Sequence, residues 1–350
     1  MKRAPTRQRV LMSSVALAAV VSLAATACGS SSGSDGGGSG GTKVSITSFT
    51  GSFASLSVYV ANRKGFFTKD GIDPSFINVG SGSDAMQAML AGSANMANVA
   101  IYESLQAAAK GESTKYIVGA ATSTLGELVV RKSLDLPDKA AGYPAVVKDL
   151  KGKKIGISSK TSATYYTLAL ALEGAGLNPD KDVTFVNAGT LSAQLTAMKA
   201  GQIDAFMAQE PTTTQAESSG DGTVVFRAYA GSRPAIFDDL ITNGVAATDS
   251  YIKGHPAAVK GVHDAVAEAD TYIAGLDQAG ITALASLVSP DFPGVSKPIL
   301  TQAIAHYQKL YSATMSQAGV TAANKVLMDF GAIKTAIPYA KVVGPTAQGS

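Results

Sequence analysis

The sequence predicts an α/β fold of two lobes, joined by two crossings of the chain, with a cleft between the lobes. From Lys43 onward, short apolar runs alternate with helical patterns, which is typical of domains with a mainly parallel sheet. The alternation forms two series of about 100 residues, a common domain size, and a helical tail follows them. The length of 350 residues is also enough for two sizeable cores.

The composition indicates a folding chain and excludes several kinds of site. Hydrophobic residues make up 46% of the chain. The formal charge of +3 comes from Lys2, Arg3, Arg7 and Arg9, because the remaining residues carry 25 basic and 26 acidic side chains. That balance gives no electrostatic case for nucleic-acid binding. The single cysteine, Cys28, excludes internal disulfides, thiolate zinc sites and iron–sulfur clusters, and we expect neither a cofactor nor a metal.

The first 27 residues have the pattern of a secretory signal peptide. A basic stretch at 1–9 precedes an apolar run at 10–27 that ends in small residues. The alternative is a membrane anchor, but a run of about 18 residues diluted by Ala and Ser is at the lower limit for a span. Arg7 and Arg9 are separated by Gln8, so a twin-arginine signal is not supported and we expect export by the Sec route.

The apolar run ends in Ala25-Thr26-Ala27-Cys28-Gly29, which resembles a bacterial lipobox, with Ala25 where leucine is usual. The resemblance implies that Cys28 becomes a lipidated N-terminus; a free or removed cysteine is the alternative. Residues 29–42 contain seven Gly and five Ser, a composition typical of a flexible coil with a reach of roughly 20 Å. We therefore expect a lipid anchor and tether over 28–43, on the extracytoplasmic face of the cell membrane.

The first series of elements begins with the strand 44–49 and a helix at 57–63 that is closed by Gly65. Gly92 likewise stops a helix at 84–90. Further strands are predicted at 75–79, 95–101 and 115–121.

The second series begins near Gly126. Strands are predicted at 128–131, 153–158, 183–187, 203–207 and 224–228, with helices at 164–174 and 193–200. A strand at 240–248 and helices at 256–276, 281–287 and 298–317 follow. We expect the tail to return to the first lobe, so that 44–125 with 240–350 forms lobe 1 and 126–239 forms lobe 2.

Three loops that open helices are candidate binding sites. They are 80–84, 158–164 and 187–190, each following a predicted strand. Ligands of open α/β sheets bind beyond the carboxyl ends of strands, where helix N-termini offer free N–H groups. The alternative is that the hydroxyl groups are ordinary N-caps. The candidate residues in these loops are Ser81, Ser83, Ser159, Thr161, Ser162, Thr164, Gly189 and Thr190.

Other candidates are single side chains. Glu210 lies before Pro211 at the end of a predicted strand, where it either faces the cleft or is a solvated loop acid. Tyr102 is next to a predicted loop and either stacks on a ligand or is a core or surface residue. The three histidines lack partners at metal-ligand spacing, and we interpret them as surface or packing residues.

Three segments resemble a family of solute-binding proteins of ABC importers that take up nitrate, sulfonates, taurine or the thiamine pyrimidine. They are YVANRKGFF at 59–67 with DGI at 70–72, DLKGKKIG at 149–156, and AMKAGQIDA at 197–205 with Glu210-Pro211. Their order and spacing fit the whole family chain.

The resemblance implies a type II periplasmic-binding-protein-like fold that closes over a small solute. It adds Gly51, Ser52 and Phe53, in the loop after the first strand, to the candidate contacts above. It implies permease and ATPase partners, a monomer, and no enzymatic activity. A eukaryotic branch of the family makes the pyrimidine with a cysteine-rich motif, which a chain with Cys28 alone does not have.

Two other functions and several ligands stay open. An exported enzyme needs an activated nucleophile or metal, and a surface sensor or adhesion lipoprotein needs only the cleft. Helix N-termini and Lys160 favour an anion, whereas Glu210 favours a cation, an amine or a heterocycle, and both together favour a zwitterion. Because a buried carboxylate disfavours nitrate, we expect a small organic solute such as a sulfonate, taurine or a thiamine-pyrimidine-like molecule.

Overall fold

The computed structural model describes residues 41–349. The predicted signal peptide, Cys28 and the tether up to residue 40 lie outside the described residues. The first strand begins at Thr42, so the last two residues expected to belong to the tether are part of the sheet. Within the described range, no helix is long and apolar enough to cross a membrane.

Two five-stranded sheets are formed by residues 41–349. The strands are β1 (Thr42–Ser48), β2 (Ile72–Asn78), β3 (Met96–Ala100), β4 (Thr114–Gly119), β5 (Glu127–Arg131), β6 (Lys154–Ile157), β7 (Thr184–Asn187), β8 (Ala205–Ala208), β9 (Gly222–Arg227) and β10 (Asn243–Thr248). The first sheet has the order β2-β1-β3-β10-β4, and the second has the order β7-β6-β8-β5-β9. We call each sheet with its helices a lobe.

Helices cover both sheets. They are α1 (Leu56–Arg63), α2 (Phe66–Lys69), α3 (Gly82–Leu90), α4 (Ile101–Ala109), α5 (Ala145–Lys148), α6 (Ala163–Gly174), α7 (Leu191–Lys199), α8 (Thr212–Ser218), α9 (Asp249–Gly254), α10 (Pro256–Gly275), α11 (Gln278–Val288), α12 (Lys297–Tyr307), α13 (Gln317–Asp329) and α14 (Tyr339–Val342). The tail returns to the first lobe, where α13 and α14 pack against α4 and α14 also packs against β4.

The chain crosses twice between the sheets, and in each sheet the strand that follows a crossing is antiparallel to its neighbours. β5 is antiparallel to β8 and β9, and β10 is antiparallel to β3 and β4. The two crossing segments contact each other, because the Thr242 hydroxyl donates to the Ser123 carbonyl at 2.7 Å and accepts from the Leu125 N–H at 3.1 Å. The predicted two-lobed α/β fold is confirmed.

Several helical segments differ from the prediction, and the following are the ones nearest the site or the tail. The strand expected at 95–101 ends at Ala100, and α4 follows it at once. α4 begins directly after β3, and its N-cap is Ala100, which has no capping side chain, so no turn or cap residue marks the change from strand to helix. α8 was also not predicted. The helix expected at 298–317 ends at Tyr307, and a new helix starts after Ser316, whose hydroxyl caps it.

Candidate functional site

A cavity of about 250 Å³ lies between the two sheets. The first lobe contributes the loops that follow β1, β2 and β3, and the second lobe contributes those that follow β6, β7 and β8. This is the carboxyl edge of both sheets, where ligands of α/β folds bind. Six of the residues predicted as ligand contacts line the cavity: Gly51, Ser52, Ser81, Ser162, Thr164 and Thr190.

Three helices point their N-termini at this cavity. Their N-cap hydroxyls accept from backbone N–H groups in the first turn: Ser81 from Asp84 at 3.2 Å, Ser162 from Tyr165 at 3.3 Å and Thr190 from Ala193 at 3.3 Å. The capping alternative is therefore confirmed for all three hydroxyls. Since the same residues line the cavity, capping also fixes each helix end in place at the site.

Four other predicted residues lie beside the cavity. The Ser83 and Thr161 hydroxyls are 2.9 Å apart and join the two lobes, and Ser159 is 3.2 Å from Thr161. Gly189 has a left-handed φ of 74°, and its carbonyl accepts from the Gln194 side chain at 2.8 Å. These residues shape the cavity mouth and the turn before α7 without lining the cavity.

Phe53 and Tyr102 belong to the core. Phe53 is fully buried, with its ring 5.1 Å from that of Phe292, and its N–H donates to the Glu210 carbonyl at 2.9 Å. Tyr102 is 1% exposed and packs against Tyr166 of the opposite lobe, with 5.0 Å between the rings. Neither side chain lines the cavity, because the Phe53 ring packs in the core of the first lobe and the Tyr102 ring packs between the lobes.

Glu210 is fully buried and is not part of the cavity wall. Its carboxylate accepts from the Thr214 N–H at 3.1 Å and the Thr214 hydroxyl at 2.9 Å, and it lies 2.6 Å from His306 Nδ1. The Glu210 carboxylate raises the pKa of His306. His306 is partly buried, and through this contact it joins α12 of the first lobe to the second lobe, which is a packing role.

A second buried acid lies near this pair. Glu127 is fully buried, and its carboxylate accepts from Tyr229 and from Arg227, whose Nε is 3.2 Å away. Burial raises the pKa of Glu127, and the nearby Glu210 adds to the rise. Together these groups form a polar contact at the join of the lobes, outside the cavity.

Glu103 is the functional candidate that the sequence analysis missed. It is on α4, is 5% exposed and lines the cavity. Burial raises the pKa of Glu103 to about 8, and the N–H of Ala163 opposes this rise. Its Oε2 is buried and has no hydrogen-bond partner among the described residues. The one sequence feature that would have drawn attention to it is an acid within the apolar segment AIYESL, directly after a strand.

The rest of the cavity lining is neutral. Among the described residues, hydroxyl and amide side chains alternate there with apolar ones, and no Lys, Arg, His or Cys is present. Lys160, which favoured an anion, instead lies 3.2 Å from the Asp180 carboxylate outside the cavity. Within residues 41–349, no three His, Cys, Asp or Glu side chains are grouped so that they would hold a metal ion.

Comparison with known proteins identifies relatives of this architecture. The model of the NMT1-like family matches residues 46–289, more than half of the chain. No curated protein sequence matches. Among similar solved structures is the periplasmic aliphatic sulphonate binding protein SsuA from Escherichia coli, at 16% identity and a TM-score of 0.67, covering 87% of this chain and 98% of SsuA.

Two further structures share the fold. The periplasmic nitrate-binding protein NrtA from Synechocystis PCC 6803 has 12% identity and a TM-score of 0.68, with 84% of this chain and 82% of NrtA covered. The desulfurization enzyme DszB has 14% identity and a TM-score of 0.60, with 87% of this chain and 96% of DszB covered. The architecture is thus found in binding proteins and in an enzyme.

Proposed function

The chain belongs to the NMT1-like family, and from this we propose that it is an extracytoplasmic solute-binding protein of an ABC importer. It captures a small organic solute between its lobes and delivers it to the permease. The single observation that carries the proposal is the cavity at the carboxyl edges of both sheets, which takes lining residues from each lobe. The fold shared with sulphonate-binding and nitrate-binding proteins supports it.

The size and lining of the cavity favour a small organic solute. The cavity has a volume of about 250 Å³ and is lined from both lobes. Such a space suits a small solute such as taurine or an aminopyrimidine. Phe49, Val79 and Leu191 provide apolar surface for a hydrocarbon part, which nitrate does not have.

Contacts between the lobes support capture by closure. The Ser52 hydroxyl donates to Gln209 Oε1 at 3.2 Å on one side of the cavity, and Ser83 bonds Thr161 on the other. Ser52 and Gln209 both line the cavity and belong to different lobes, so a ligand that contacts both lobes there favours the closed arrangement. A ligand shifts a two-state equilibrium by its difference in affinity for the two states, and a few kcal/mol is enough to separate loaded from empty protein.

We further propose that Cys28 is lipidated and that the Gly/Ser tether holds the two lobes near the permease. In this proposal, lobe 1 is formed by 44–125 with 240–350, and lobe 2 is formed by 126–239. The lipobox-like sequence and the tether composition support this. Cys28→Ser expressed with the native leader is expected to move from the membrane fraction to the soluble extracytoplasmic fraction. Continued membrane association of this variant would contradict the lipid anchor without affecting the binding role.

A thermal-shift screen of the purified protein tests the binding role. The panel contains alkanesulfonates, taurine, nitrate, the thiamine pyrimidine, riboflavin and amino acids. A ligand at 100 times its dissociation constant adds about 2.7 kcal/mol to the free energy of unfolding, which raises the melting temperature by several degrees. Stabilisation by a small organic solute supports the proposal. A flat response across the panel from a cooperatively unfolding protein contradicts it.

An enzyme on the same scaffold is the second candidate function, because DszB shares the fold. Glu103 is the one ionisable side chain that the described residues contribute to the cavity. The two functions are distinguished by incubating the bound solute with the protein and following it by mass spectrometry. A binding protein returns the solute unchanged, whereas an enzyme converts it.

A further inference from the structure

The carboxyl group of Glu103 occupies a position at the N-termini of two helices. A methyl group added to Gly82, the first residue of α3, would lie 2.7 Å from Glu103 Cδ. The N–H of Ala163, the first residue of α6, lowers the pKa of the same carboxyl group. Helix N-termini attract anions because their first N–H groups are free and their end of the helix dipole is positive. The chain therefore supplies its own acid at the place where two helix ends would hold an anionic ligand.

This acid has few hydrogen-bond donors around it. Glu103 Oε2 is buried and has no partner among residues 41–349, and the described cavity lining offers no cationic side chain. A buried polar atom that lacks a partner costs free energy. A solute with a donor group removes that cost when it enters the cavity, whereas an anion meets repulsion wherever the carboxyl group is ionised.

Resting on the proposed function, we propose that the solute carries an N–H donor group, as an amine or an aminoheterocycle does, and donates it to the carboxyl group of Glu103. Simple anions without such a group, nitrate and plain alkanesulfonates among them, are then poor ligands. Glu103 contacts the ligand and determines its class. The neutral hydroxyl and amide groups that line the rest of the cavity fit the remaining polar atoms of such a molecule.

The rival arrangement is a protonated Glu103 that donates to an anion. Burial raises the pKa of Glu103 to about 8, so the proton is present on the empty protein at neutral pH. The two arrangements predict opposite pH dependences. Affinity for a cationic amine rises as the pH increases towards 8 and the carboxyl group ionises, whereas affinity for an anion falls over the same interval.

Matched probes and calorimetry distinguish the two arrangements. Taurine and isethionate both have a sulfonate on a two-carbon chain. The other end of the chain is an ammonium group in taurine and a hydroxyl group in isethionate. The second pair is 4-aminopyrimidine and pyrimidine, and nitrate is the simple anion. We expect at least one N–H-bearing probe to bind at least about tenfold more tightly than its partner, and taurine to bind more tightly at pH 8 than at pH 6.

Variants add a second readout. At pH 8, Glu103→Gln is expected to weaken binding of the N–H-bearing probe by about tenfold, because a neutral amide oxygen replaces the charged acceptor. Glu112→Gln makes the same chemical change at an exposed position outside the cavity and is expected to leave affinity unchanged. If Glu103→Gln does not fold, the probe pairs on the unchanged protein still decide the question.

Each outcome has a separate meaning. Binding of isethionate or nitrate as tight as that of the N–H-bearing probes, or full affinity in Glu103→Gln, overturns this inference and leaves the solute-binding function standing. Binding by none of the probes, together with a flat response in the thermal-shift panel, overturns the proposed function, and this inference fails with it.

Discussion

Replacing Glu103 by glutamine is expected to stabilise the empty protein at high pH. Glutamine keeps the size of the side chain and cannot ionise. In the folded protein, burial raises the pKa of Glu103 from 4.5 to about 8. The folded state of the unchanged protein therefore binds the Glu103 proton more tightly than the unfolded state does. The contribution of this proton to the free energy of unfolding is fully present below pH 4.5 and is lost as the pH rises through about 8.

The magnitude follows from the distance between the two pKa values. The interval from 4.5 to about 8 corresponds to at most about 5 kcal/mol, at about 1.4 kcal/mol for each pH unit. The ionisable groups that face Glu103 are Tyr102, Tyr116 and Tyr166, and the pKa of each phenol is raised by burial, so they stay protonated over this range. Their contribution does not change with pH.

Urea denaturation of the two proteins at pH 5, 7 and 9 measures the effect. The difference in the free energy of unfolding between Glu103→Gln and the unchanged protein is expected to grow from near zero at pH 5 to several kcal/mol at pH 9. Other buried acids, such as Glu127 and Asp270, are present in both proteins and cancel in the difference. A difference that stays constant from pH 5 to pH 9 would refute the assignment of Glu103 as a buried acid that retains its proton.

Three further changes test the site and the join of the lobes. Gly82→Ala is expected to displace the Glu103 carboxyl group and to weaken solute binding about tenfold or more, measured by calorimetry; unchanged affinity would contradict the close approach. Ser162→Ala removes the N-cap of α6 and is expected to cost about 1 kcal/mol in urea denaturation, with Ser162→Thr as the conservative control. Glu210→Ala leaves His306 without its buried partner and is expected to cost about 3 kcal/mol. Because Glu210 raises the pKa of His306, that loss is expected to be largest at low pH and to shrink as the pH rises above 6.5; a loss that does not vary with pH would argue against the ion pair.

Local patterns in the sequence were sufficient for most of the fold. Strands such as β6 and β8 are short apolar runs between turn residues, and helices such as α6 follow a hydroxyl cap that the sequence displays directly. The same patterns identified the helix-opening loops at Ser81, Ser162 and Thr190, which line the cavity in the structure. Local signals failed at α4, because this helix follows β3 directly, with Ala100 as N-cap and no capping side chain to mark its start.

The sequence by itself therefore determined the α/β alternation, the two lobes and the loops at the carboxyl ends of the strands, since these depend on residues that are close together in the chain. Tertiary structure alone decided which acid lines the cavity. Glu103 and Ala163 are brought together by the packing of α4 against α6, and Glu210 and His306 by the contact between the lobes. Burial and charge pairing depend on neighbours that are distant in the chain, so only the structure shows that Glu103 lines the cavity and that Glu210 contacts His306.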